Sequence, residues 1–577
     1  MERALRELKA EKEQLARELR EAKAAPQERK AALPAPRLAP VAAGFVEKLV
    51  LTWRREGPRE DDAVVRGLSY ADGVDNFFMD LRLGRDFVHK VPHLRWDHSK
   101  FYDPDPNRPY GKVYTKHASF LDGMEEFDHR QFGLTKEETD RWDPQICKCL
   151  EAGDQALKNS AINRAVLGEL EMSVHVGSMT NDSFTMMETA ELSGRDHAVH
   201  RSIRPTEAAV VSRVLDLRGP SETIDTACSS SLVAAHNGAG QIMSGNCGLA
   251  LVSGICYMGT GETFINRCML KLLSERGRSF AFDGSADGYA RGEAYGALVL
   301  ARRSNLPDGS AVIAGSSVNQ DGKSATLTAP NGPAQSALLR DCHKVAGMDP
   351  EALSCLECAA NGSLMGDPIE FSALAKVHAG HHLLLTAVKS NKGHTEGGSG
   401  MTGLVKATLM MQNWQALPNV HLHLVNPNID YEGYQIEIPR EAMPEHKTDH
   451  PMTVGVSAFG FGGTNAHAIL MTIEGFRSSA ARGPGPRTRQ GHPDDAEPAG
   501  QAGKEFEQLD GRALHVLKPE DVRIRLVDFL ARVPGKIRNK YVEDELIDFF
   551  HALDYDGKGF IQEFELPMAW WEVLSER

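Results

Sequence analysis

Three patterns of apolar and polar positions follow one another along the chain. In residues 1–26, Leu5, Lys12 and Leu19 recur at one heptad position and Leu8, Leu15 and Ala22 at the other, with Glu, Lys and Arg on the flanks. This spacing predicts a coiled-coil helix. Three heptads with a lysine in the seam are marginal alone, so the segment reads equally as a solvated helix that pairs because the domain behind it is dimeric. The stretch PQERKAALPAPRLAP then breaks the periodicity, and 27–59 reads as a linker. From 60 to 475, apolar runs such as GLALVSGI, GALVL, AVIAG and HAILMTI alternate with amphipathic stretches. That is the pattern of buried strands between helices in a layered α/β domain, with function expected on the loops at the strand ends. Residues 476–505 are rich in Gly, Pro, Arg and Asp and poor in apolar side chains, as in a disordered tether, and 506–577 turns helical again.

Composition narrows the classes. With 41% hydrophobic and 25% charged residues, the chain has the make-up of a soluble globular protein, and it contains no apolar run long enough to span a bilayer. The N-terminus alternates charges where a secretory signal needs an apolar core, so a cytoplasmic location is expected. A formal net charge of −14 argues against a nucleic-acid binder. Nine cysteines, an odd number spread over 577 residues, do not make a disulfide framework and are expected to be reduced.

One of them stands in an unusual setting. The run Asp225-Thr226-Ala227-Cys228-Ser229-Ser230-Ser231-Leu232 leads into LVAAHNGAGQIM, a stretch expected to be helical from just after the cysteine. The helix dipole would then lower the thiol pKa and favour thiolate. Gly238 and Gly240 would allow close backbone packing of a buried helix. Taken alone, such a cysteine reads more readily as an inert buried hydrophobe.

The flanking residues reverse that reading. DTACSSSL resembles the nucleophile motif of the β-ketoacyl synthases, the condensing enzymes of polyketide and fatty-acid assembly. Further segments similar to that family follow in its order: FLDGMEEFDHRQFGL, FDGSADGYARGE, SSVNQDGKSATLTAPNGPAQ, LMGDPIE, VKSNKGHTEGGSGMTGLVK and VSAFGFGGTNAHAIL. The match is nearest to the ketosynthases of modular polyketide synthases. The resemblance implies a five-layered α/β/α/β/α thiolase fold, a homodimer, acyl and malonyl thioesters on an acyl carrier protein as partners, and no cofactor for catalysis. It casts Cys228 as the nucleophile that takes up the acyl chain. His394 is cast as one of two histidines that hydrogen-bond the extender carbonyl while it loses CO2. Lys389 would pair with Glu396, Phe461 would cover the acyl pocket, and the backbone N–H groups of Cys228 and Phe461 would form the oxyanion hole.

The sequence departs from the family at one chemically decisive place. Where the pattern EAHGTGTxLGDPIE carries the other histidine, this chain reads ECAANGSLMGDPIE, and the fixed GDPIE end puts Ala359 at that position. Losing one such donor typically lowers the rate on the order of a hundred- to a thousand-fold. Acyl loading on Cys228 does not need it, so three readings stand: a condensing ketosynthase, a non-elongating ketosynthase that only passes acyl chains on, and a non-catalytic dimeric scaffold. Asn361, two positions on, would need a backbone shift to supply a substitute amide. The opening strand, AVVRGLSYADG, also differs from the family's usual form.

Near the C-terminus, DYDGKGFIQEFE over 554–565 fits the twelve-residue EF-hand loop. Calcium would be held by Asp554, Asp556, Lys558, Phe560 and Glu565 as positions one, three, five, seven and twelve, with Gly559 at the turn and Ile561 at the apolar position. Lys558 puts an ammonium where an oxygen ligand belongs. The loop therefore reads equally as a weak calcium site and as a helix-loop-helix that holds no ion.

Overall fold

The computed structural model describes residues 63–472, apart from positions 72, 109, 141, 180–181, 190–205, 303–310, 325, 327 and 445–451, together with 523–525 and 560–562. The chain falls into two units, Met1–Gly485 and Pro486–Arg577. The coiled coil of 1–26, both linkers and all proposed calcium ligands except Phe560 lie outside the described residues.

The first unit is built on eleven strands: β1 (Ala63–Tyr70), β2 (Met172–Gly177), β3 (Ser221–Ile224), β4 (Leu249–Cys256), β5 (Ala294–Arg302), β6 (Ala311–Gln320), β7 (Cys355–Glu357), β8 (Leu383–Thr386), β9 (Ile436–Glu437), β10 (Thr453–Phe459) and β11 (Thr464–Met471). Their spatial order is β9-β8-β7-β10-β11-β6-β1-β5-β4-β2-β3. The join in the middle is thin, since β1 and β6 pair only at Val64–Val312 and Val65–Ala311. The halves on either side of it repeat one scheme. In each, three strands pair antiparallel (β1-β5-β4 and β6-β11-β10) and those that follow add in parallel (β2-β3 and β7-β8-β9). Despite its departure from the family form, AVVRGLSY makes a full strand, with a bulge between Val65 and Gly67.

Helices complete the layers. Those used here are α1 (Pro144–Asn159), α2 (Thr206–Leu215), α3 (Ser230–Met243), α4 (Gly332–Ala346), α5 (Gly366–Ala375) and α6 (Ser399–Asn413). On one outer face α1 packs on β1, β5 and β4, and α2 on β3 and β2; on the other, α4 packs on β6 and β11 with α5 against it. Between the two halves, α3 and α6 touch each other and strands of both. Five layers result, as expected. The strands are continuous apolar runs because both faces are covered: β2 is buried at every position.

The central helices sit close to the strands because small residues meet there. A Cβ on Gly254 of β4 would lie 2.5 Å from the Met401 Cβ and 2.7 Å from that of Ser231. Gly238 works in the same way against Val252, whose Cγ2 would stand 2.8 Å away. Gly240 does not: it is exposed, and an added Cβ would meet nothing within 4 Å.

In the second unit, Arg523–Arg525 pairs antiparallel with Phe560–Gln562, placing Ile524 opposite Ile561. Phe560 and Ile561 thus lie on a strand.

Candidate active site

Cys228 lies in the tight turn that joins β3 to α3. Three side chains hold the turn: Asp225 accepts the Ala227 N–H at 3.0 Å, Ser229 donates to the Thr226 carbonyl at 2.9 Å, and Ser230 accepts the Thr226 N–H at 2.9 Å. Ala227 sits at φ 57°, a left-handed conformation that a non-glycine residue adopts only when its surroundings force it. The Gly460–Gly463 turn closes over the cysteine. A Cβ on Gly460 would lie 2.2 Å from the Thr226 carbonyl, so only glycine fits. The next residue, Phe461, directs its backbone N–H at the Cys228 sulfur. That is one of the two N–H groups expected at the oxyanion position.

The expectation of a lowered thiol pKa does not hold. Helix α3 begins at Ser230 with Ser229 as its cap, so Cys228 stands ahead of the helix. Burial pushes the thiol up to about 11, helped by the charge of Glu396, and the Phe461 N–H, Lys389 and Arg267 only partly offset this. Desolvation outweighs the dipole.

His394 is buried, and its Nδ1 accepts the backbone N–H of Glu396 at 3.1 Å. Burial, and then Lys389, push its pKa down to about 3, so the ring is neutral. With Nδ1 an acceptor, the proton must be on Nε2, and the ring is a fixed hydrogen-bond donor. Tyr289 packs edge-on at 4.9 Å between ring centroids.

Glu396 is not the partner of Lys389. Arg267, on the helix Glu262–Met269, and Arg291 clamp it from two sides, each with two contacts, at 2.5 and 2.8 Å from Arg267 and both at 2.9 Å from Arg291. The two guanidiniums hold its carboxyl well below the usual range against the pull of burial. Lys389 is itself buried, lines the cavity, and acts through its charge on Cys228, His394 and Glu370.

Ala359 faces the same cavity. Its N–H donates to Glu370 at 2.8 Å, and Asp367 accepts the N–H groups of Asn361, Gly362 and Ser363 at 3.1–3.2 Å. These bonds pin the loop, so Asn361 lines the cavity from its own place and does not take that of Ala359. Cys228, His394, Lys389, Phe461, Ala359 and Asn361 all border one cavity of about 780 Å³. The structure thus brings together all four residues expected to be catalytic. Sequence reasoning missed Arg267, Arg291, Tyr289 and Glu370. Tyr289, Arg291 and Glu370 fall inside segments that carry the resemblance, yet nothing in the sequence pairs Tyr289 with His394 or Arg291 with Glu396, about a hundred positions away.

Comparison with known proteins identifies the family. The family model described as "Beta-ketoacyl synthase, N-terminal domain" matches residues 66–305, and that described as "Beta-ketoacyl synthase, C-terminal domain" matches 310–423. The chain belongs to the β-ketoacyl synthase family. It is 38% identical over 405 residues to a phenolphthiocerol/phthiocerol polyketide synthase component of Mycobacterium tuberculosis, covering 69% of this chain and 26% of that one. To the highly reducing polyketide synthase phiA of a fungal species it is 35% identical over 439 residues, covering 74% and 17%. The ketosynthase therefore spans about a quarter or less of the length of these curated relatives. Among solved structures, the oxazolomycin ketosynthase domain OzmH KS7 of Streptomyces albus JA3453 superposes with a TM-score of 0.69 at 32% identity, over 71% of this chain and 75% of that one. The ketosynthase from module 6 of the bacillaene synthase of Bacillus subtilis 168 gives 0.66 at 31%, over 71% and 72%. Both are ketosynthases. Among the described residues no helix is long and apolar enough to cross a membrane, and none of the nine cysteines is in a disulfide.

Proposed function

We propose that this ketosynthase takes an acyl group from a carrier-protein thioester onto Cys228 and passes it on, with carbon–carbon bond formation strongly slowed by Ala359. The observation that carries the reading is the asymmetry of the cavity: a nucleophile with an N–H aimed at it and one neutral histidine donor are in place, while a methyl group stands where the second donor is needed.

In the transfer step the Cys228 sulfur attacks the thioester carbonyl, and the Phe461 N–H, with that of Cys228, donates to the developing oxyanion. The C–S bond to the carrier breaks, and the cysteine proton leaves on the departing thiol. In condensation His394 Nε2–H would hydrogen-bond the malonyl-type thioester carbonyl as CO2 departs. With a single donor that charge is under-stabilised, and the step is expected to slow by about a hundred- to a thousand-fold.

Exchange of an acyl group between two thiol carriers tests the transfer step. It is expected to proceed with the parent protein and to stop with Cys228→Ser. The scaffold reading gains support only if no exchange occurs.

A further inference from the structure

The helix Glu262–Met269 ends in the wall of the catalytic cavity, and its end is closed entirely by backbone groups. The Leu270 N–H donates to the Asn266 carbonyl at 3.2 Å, that of Lys271 to Cys268 at 2.9 Å and that of Leu272 to Arg267 at 3.0 Å. Such an ending turns the first residue past the cap left-handed, a place that glycine fills most easily. Here the residue is Lys271, at φ 53°. Its charge is not needed by the helix end, because the three carbonyls already have their donors. Its Nζ donates instead to the Asn107 side-chain oxygen at 3.4 Å. A lysine is therefore held in a strained conformation where glycine would close the helix with less cost, and strain of this kind persists mainly where a ligand is met.

The charges along the cavity show what Lys271 can meet. Among the described residues that line it, Arg267 is clamped on Glu396 and Lys389 is buried, whereas Lys271 is exposed. The carboxylates of the wall are engaged elsewhere. Asp287 holds Arg276 at 3.2 Å, Asp321 holds the Asn465 amide at 2.7 Å, and Asp367 and Glu370 accept backbone N–H groups. The cavity thus joins a buried nucleophile, Cys228, to one outward-facing cation.

We propose that Lys271 binds the phosphate of the phosphopantetheine arm that bears the acyl group, and so favours carrier-bound thioesters over simple ones. The inference rests on the acyl-transfer reading above. With its thioester carbon at Cys228 the arm must leave through the cavity, and its phosphate, at the opposite end from the sulfur, reaches the exposed wall. An ammonium is a point charge with three N–H donors, so it holds a phosphate oxygen without a fixed geometry, and the Asn107 contact uses only one of them.

The test compares matched acetyl, butyryl and hexanoyl thioesters of phosphopantetheine and of pantetheine, which lacks the phosphate, as acyl donors to Cys228 of the full chain. Acylation by the pantetheine thioesters tests the acyl-transfer reading alone, and the ratio of kcat/KM between the two series tests Lys271. The parent should favour the phosphorylated series by about three- to tenfold, and the preference should fade toward an ionic strength of about 1 M. Lys271→Gln and Lys271→Gly should lose the preference while acylation by the pantetheine series stays the same, and Lys271→Arg should keep it. Lys271→Gly, relieved of the strained backbone, should melt at an unchanged or higher temperature. A parent indifferent to the phosphate, a preference that survives in Lys271→Gln, or a lower melting temperature of Lys271→Gly overturns the proposal, and a parent acylated by neither series overturns the acyl-transfer reading together with it.

Discussion

His394 Nδ1 accepts the N–H of Glu396 at 3.1 Å, and this bond decides which ring nitrogen carries the proton. It makes His394 a donor of one hydrogen bond and not a general base. His394→Ala is therefore expected to lower decarboxylation of a malonyl thioester by about a hundred- to a thousand-fold while changing Cys228 acylation only a few-fold. Separate assays of CO2 release and acyl-enzyme formation check this, and equal losses in both would show that the ring serves the nucleophile instead.

The Cys228 thiol, pushed up to about 11, implies a steep pH dependence. Below that value the thiolate fraction rises about tenfold per pH unit. Alkylation of Cys228 by iodoacetamide should climb across pH 7–10 without a plateau, and more slowly in Lys389→Ala, which lacks a charge that lowers the pKa. The folded state favours the thiol more than the unfolded chain does. The matching stability is present below the ordinary thiol value and is lost as pH rises through about 11. A plateau near neutrality would mean that the thiolate is stabilised after all.

Glu396, held between Arg267 and Arg291, is charged and fully buried. Removing its charge in Glu396→Gln leaves two buried guanidiniums without their counter-ion, at about 3–5 kcal/mol of stability. Denaturant titration measures this, and a loss under about 1 kcal/mol would show the arginines finding other partners. Because its folded pKa is depressed, Glu396 contributes stability that is present above the ordinary carboxylate value and lost as pH falls below it. The parent should be acid-labile and Glu396→Gln less steeply so.

Gly254→Ala should also act on the site from a distance. The new Cβ would press on Ser231 and Met401, one near the start of each central helix. Overpacking of this kind costs about 1–3 kcal/mol, and displacing α3 should slow Cys228 acylation along with lowering the melting temperature. A variant of unchanged stability and rate would show slack between β4 and the helices.

Much of this site was legible because its chemistry is carried by contiguous residues. DTACSSSL, GHTEG and GFGGT each name a side chain, and the GDPIE register puts Ala359 at the position of the family histidine, which the fold sets at the cavity. What stayed hidden depends on distance through space. The arginines on Glu396 lie over a hundred positions away in the chain, so the lysine five residues before His394 was the natural guess and was wrong. The thiol pKa was misjudged because the dipole is local and visible in sequence, whereas burial is a property of the folded core.

The most direct test is intact-protein mass spectrometry after incubation with an acyl thioester and then with malonyl-loaded carrier protein, for the parent, Cys228→Ala and Ala359→His. The account predicts an acyl adduct on the parent, none on Cys228→Ala, little extended product from the parent and clear extension from Ala359→His. Extension by the parent as fast as by Ala359→His would contradict it, because another group would then supply the donor that Ala359 lacks.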